Sequence, residues 1–134
     1  MREYNLFVIK NEYHDLYHNR PMVLFDALNK LYTMHNNLNY GITLYEQLCN
    51  RINIETLKYY LNNKYNLNNE RTFYIDKTFI ELKPSRIIVK SKCNLPEIIK
   101  MFNCYNRNIF ICDFQNYDYF WLHDFVKSKV LEYI

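Results

Sequence analysis

Apolar and polar positions alternate along this chain in two different rhythms. Its first half is dominated by the 3.6-residue period of helices, its second half by the runs and alternations of strands. YNLFVI (Tyr4 to Ile9) is a short apolar run rich in strand formers and predicts a buried strand. The polar segment from Asn11 to Asn19 has helical spacing and is closed by Pro21, which suits the first turn of the next helix. That second helix carries Leu24, Phe25, Leu28, Leu31 and Tyr32 as one apolar stripe. HNNLNYG, ending at Gly41, predicts a loop, and Thr43 with Glu46 has the form of a capping box opening a helix to about Arg51, with Leu44 and Leu48 inward. Ile54, Leu57 and Leu61 mark a further helix, which fades into the Asn-rich connector NNKYNLNNE.

From Arg71 the rhythm changes. RTFYIDKT, FIELK and RIIVKSK predict three strands, with Pro84 at a turn or edge between the second and third. Asn94 and Glu97 predict another capped helix, with Leu95, Ile98, Ile99 and Phe102 as its stripe. NIFICDF (Asn108 to Phe114) predicts a buried strand, followed by the aromatic YDYFWL and a short C-terminal helix or tail. The expected fold class is α/β in the broad sense, more closely α+β: a single domain over residues 1–134, with a mostly antiparallel sheet packed with several helices. The helix before NIFICDF makes one crossover.

Composition narrows the picture. At 134 residues, 49% of them hydrophobic and 18% aromatic, with one Gly and three Pro, the chain is long and apolar enough to bury a core. Seventeen basic and 14 acidic residues leave a net charge of +3, well mixed along the chain, too mild for a protein whose main task is neutralising phosphates. No stretch approaches a membrane span, and the N-terminal apolar run is too short for a secretion signal, so a cytoplasmic protein is expected. The four cysteines form no C-x-x-C pair; reduced thiols are expected, three of them packing as small hydrophobes.

Candidate chemistry is sparse. His14 and His18 stand four apart, the spacing by which a helix grips zinc, but Asp15 replaces the catalytic Glu of such motifs and His35 and His123 are scattered; two solvated histidines are expected. A single glycine cannot build a phosphate loop. Asp113 ends an apolar strand without an acid–base partner and is expected in a turn or helix-terminus hydrogen bond; a small hydrolase using it with a histidine has least support. Lys83, Arg86, Lys90 and Lys92 form the one basic run free of acids, read as a solvated strand face or a guarded edge. Tyr13 and Tyr17, one helical turn apart with Leu16 beside them, are either the core face of their helix or an exposed aromatic ridge; periodicity leaves both readings open.

The two ends of the chain carry a resemblance. Ile9-Lys10-Asn11-Glu12-Tyr13, continued by Tyr17 and Arg20, is similar to the opening motif of the SirA family, sporulation inhibitors of replication in Bacillus and relatives. Asp113-Phe114, continued by Tyr119, Trp121 and Leu122, resembles that family's C-terminal signature, while residues 36–69 align only loosely. The resemblance implies a protein without chemistry, cofactor or metal, which binds the N-terminal domain of the initiator DnaA and restrains replication initiation. It implies no direct nucleic-acid contact, no membrane and no small-molecule substrate. Family contacts come from the first-helix aromatic pair, matching Tyr13 and Tyr17, and from a polar residue on a later helix, matching Gln47 or Glu46. Tyr13 stands where Phe is usual. The alternative is a small nucleic-acid-binding module using the basic strand around Lys90 with nearby aromatics.

Overall fold

The computed structural model describes residues 1–33, 38–65, 70–94 and 96–132. Strand β1 (Arg2–Ile9) is followed by helices α1 (Asn11–Tyr17), α2 (Pro21–Thr33) and α3 (Leu38–Leu48), then β2 (Cys49–Asn50) and α4 (Ile54–Asn62). Strands β3 (Thr72–Ile75), β4 (Thr78–Leu82) and β5 (Ile87–Ser91) lead into α5 (Ile98–Met101) and a 3-10 turn at Phe102–Cys104. Strands β6 (Ile109–Asp113) and β7 (Asp118–Trp121) and helix α6 (Leu122–Glu132) complete the described elements.

The strands form one sheet in the order β3-β4-β5-β1-β6-β7, with β2 paired to the end of β1, and every pair is antiparallel. This is the expected α+β class. The crossover is present too: β5 and β6 both flank β1, so α5 carries the chain over that strand. Period-2 alternation makes β1 serve two cores at once. Tyr4, Leu6 and Val8 enter one core with Ile109 and Ile111 of β6, Ile87 and Val89 of β5, and Ile54, Leu57, Leu61, Ile98 and Ile99 of the covering helices. Phe7 and Ile9 enter the other, an aromatic layer with Phe110, Cys112 and Trp121 under Leu24, Phe25 and Leu28 of α2.

Several local expectations are corrected. Helix α3 begins at Leu38, so Gly41 and Thr43 lie inside it and there is no capping box at Thr43. Packing overrides local propensity here: α3 lies against α2, and a Cβ on Gly41 would meet only the Leu31 carbonyl at an ordinary 3.9 Å. The helix stops at Leu48 rather than Arg51 because the sheet takes the backbone over. The Lys10 N–H donates to the Leu48 carbonyl (3.0 Å), and Cys49 and Asn50 pair with Ile9 and Val8. The stretch RTFYIDKT holds strand β3, but the strand ends at Ile75 and Thr78 already belongs to β4. Asp76 turns the chain at φ 54°, a left-handed conformation that a strand cannot contain and that Asp tolerates better than most residues.

Asn94 does not cap α5. Its Oδ1 accepts from the Arg2 guanidinium (3.2 Å), and the helix starts only at Ile98. The aromatic YDYFWL contains β7, a strand that the sequence pattern does not predict. Two thiols, Cys49 and Cys112, are buried, while Cys93 and Cys104 are exposed, so two and not three pack as hydrophobes. His35, part of the HNNLNYG loop, Leu95 and part of the Asn-rich connector lie outside the described residues.

Candidate protein-binding site

Helix α1 follows β1 after a single residue and is only seven residues long, with no side-chain cap and no buried residue. A helix this short is not stable alone. It is pinned by its two long faces. On one, the Tyr13 and Tyr17 rings lie nearly parallel, 11° apart with centroids 6.3 Å apart. Both rings are half-buried, resting on the aromatic core layer, and Leu16 beside them is 54% exposed. The two readings of the stripe thus meet halfway: its inner edge is core and its outer edge is surface.

Gln47, on α3, completes the patch. Its Nε2 donates to Tyr13 Oη at 3.0 Å, although the two residues are 34 positions apart. The phenol at position 13 therefore has a partner for its oxygen, and its own O–H remains able to donate. Glu46 is exposed but aimed elsewhere. Its carboxylate lies 3.8 Å from Arg51, and its carbonyl accepts from Lys10 Nζ. The structure brings Tyr13, Tyr17 and Gln47 together and leaves Glu46 at their side.

The other face of α1 holds the histidines, which are half-buried against Trp121 rather than fully solvated. The His14 ring meets Trp121 edge-on at 4.7 Å, His18 lies 5.9 Å from the same indole, and the two imidazoles are 5.2 Å apart. His18 Nε2 and Asp124 Oδ2, 2.7 Å apart, join α1 to α6. Among the described residues no three His, Cys, Asp or Glu side chains are grouped to hold a metal. No periodicity signals these contacts, because Trp121 and Asp124 come from the far end of the chain.

Asp113 is structural. Its carboxylate accepts from Arg2 Nε (2.9 Å), the Asn116 side chain (2.8 Å) and the Asn116 backbone N–H (3.1 Å). Burial opposes its charge, but the Asn116 and Arg2 hydrogen bonds and the Arg2 charge outweigh it and hold the carboxyl below the usual range. Arg2 also reaches Asp118 at 3.0 Å, so a polar hollow of about 450 Å³ lined by Arg2, Asn116, Tyr117 and Asp118 has its charges already paired. Burial likewise pushes the Cys49 thiol up to about 12, which keeps it protonated and unreactive.

The basic run is broken up. Arg86 donates to Asn5 Oδ1 at 2.7 Å and lies 4.1 Å over the Tyr32 ring, so it serves the inner layer. Lys83 lies 3.9 Å from Glu81. Lys90 Nζ stands over the Phe79 ring at 5.9 Å. No helix among the described residues is long and apolar enough to cross a membrane. In comparisons with known proteins, no family model matches the chain and no curated protein is significantly similar to it in sequence.

Proposed function

We propose that this chain is a non-enzymatic binding protein that holds the N-terminal domain of DnaA on the α1–α3 patch and so restrains replication initiation. The observation that carries the reading is the Gln47–Tyr13 hydrogen bond. It makes one surface of three of the four residues that the SirA resemblance singles out, Tyr13, Tyr17 and Gln47, drawn from two helices, with Glu46 beside them. Two stacked, half-exposed rings beside an exposed leucine supply a rigid apolar anchor, and the Tyr13 hydroxyl and Gln47 amide supply a polar rim. The mechanism is occupancy: an initiator domain held here is withheld from its assembly contacts at the origin.

Calorimetric titration with the N-terminal domain of DnaA from the same organism tests the reading. Wild type binds, and Tyr17→Ala weakens binding about thirtyfold or more, as a hot-spot aromatic should, while keeping its fold. A well-folded wild type that does not bind would overturn the proposal. Undiminished initiator self-assembly in the saturated complex would remove occupancy as the mechanism.

A further inference from the structure

The aromatic layer under α2 draws its sheet residues from β1, β2, β6 and β7, and none from β3, β4 or β5. Over that second half of the sheet the same face carries a cross-strand row. Tyr74 of β3 pairs with Phe79 of β4, Phe79 with Lys90 of β5, and Lys90 with Glu3 of β1. The Tyr74 and Phe79 rings are 5.2 Å apart, Lys90 Nζ stands over Phe79, and Tyr74 is 74% exposed. A cross-strand aromatic pair steadies a hairpin. That role requires contact between the rings but not three-quarters of one ring left in water.

Charge says what such a ring is open to. Lys77 lies in the β3–β4 turn and Lys92 just beyond β5, and extending the β4–β5 register by two residues puts them opposite each other at the same end of the row. Among the described residues, Lys77, Lys90 and Lys92 form no ion pair. The nearby acids are Glu3, across from Lys90, and Asp76 in the turn; Glu81 is already near Lys83. An apolar protein partner would have to strip water from these three cations without compensation. A chain of flat bases joined by phosphates fits instead, with bases stacking on the rings and phosphates meeting the lysines. Duplex bases are stacked inside their helix and offer no free face.

We propose that the open row Tyr74–Phe79–Lys90 binds single-stranded nucleic acid, at a site separate from the α1–α3 patch. The mild overall charge conceals it, because the remaining bases are paired or scattered. Two or three phosphate contacts give weak, salt-sensitive binding, with a log–log salt slope of about −0.7 per contact.

Fluorescence anisotropy with short labelled oligo-dT and oligo-rU strands at low salt tests this on the full chain. Wild type binds at least one strand in preference to a duplex, and a preference between the two identifies the sugar. Tyr74→Ala weakens binding about fivefold or more, the smallest effect expected of a stacked base, while Tyr74→Phe retains it and guards against a folding artefact. Lys90→Gln makes the salt slope shallower by about 0.7. Tyr17→Ala leaves oligonucleotide affinity unchanged and Tyr74→Ala leaves DnaA-domain affinity unchanged, so the two sites fail separately. No wild-type binding at low salt, equal binding by Tyr74→Ala, or equal binding of duplex would each overturn the proposal.

Discussion

Helices α1 and α4 are of similar length and lie on opposite faces of the sheet, yet they are held in opposite ways. The nine residues of α4 bury Ile54, Leu57, Lys58 and Leu61, and Asn53 caps it by accepting the Thr56 N–H at 3.1 Å. The seven residues of α1 bury none and have no side-chain cap. A helix anchored through its apolar stripe has spent that stripe on the core. A helix gripped at its flanks, by half-sunk tyrosines on one side and by imidazoles against Trp121 on the other, leaves ring surface exposed. On this comparison α4 is structure, and α1 is the helix that the proposed binding role requires.

The strongest way to break the comparison is to truncate matched positions. Leu57→Ala, at a fully buried site of α4, should cost about 2–5 kcal/mol in urea denaturation. Tyr17→Ala removes a larger side chain and should nevertheless cost less; an equal or greater loss would make Tyr17 a core residue and α1 a second α4. Next in size is the clamp that ties β1 to the β6–β7 hairpin. Because the folded carboxyl of Asp113 lies below its unfolded value, its contribution is complete above the unfolded carboxylate range and is lost as pH falls through the folded value. Asp113→Asn should therefore lower stability at pH 7 by about 1.5–3 kcal/mol and flatten the acid limb of the stability–pH curve. An acid limb identical to wild type would place the titrating groups elsewhere. Smallest is the cap: Asn53→Ala should cost about 1 kcal/mol. No comparable loss is available on α1, where the preceding Lys10 makes no side-chain cap bond.

What the sequence discloses and what it withholds divide along the range of the interactions. β1, α2, α4 and β6 follow from local apolar rhythm because each buries a continuous stripe or run. The Tyr13–Tyr17 ridge follows from i, i+4 spacing. Its completion by Gln47 rests on the packing of α3 against α2, which no local spacing announces. The His18–Asp124 contact spans 106 positions and has no local signature. The same holds for the diversion of Asn94 to Arg2, which cancels a plausible capping box. The Tyr74–Phe79 row is hidden for another reason. Tyr74 lies in RTFYIDKT and Phe79 opens FIELK, and only the turn at Asp76 and Lys77 fixes the register that sets the two rings side by side.

The position of β1 also sets a timetable. The first strand of the chain sits between β5 and β6, and its Arg2 meets an aspartate 111 positions later. During synthesis Val8 and Ile9 can meet β2, but Leu6 waits for β5 and Phe7 for β6. Closing so long a loop before any compensating contact forms slows folding and leaves a sticky segment exposed in the meantime. Nascent chains that stop before β6 should engage holdase chaperones through this segment, and release should coincide with the emergence of NIFICDF. The strand that leads directly into α1 therefore gains its last strand partner only when β6 emerges.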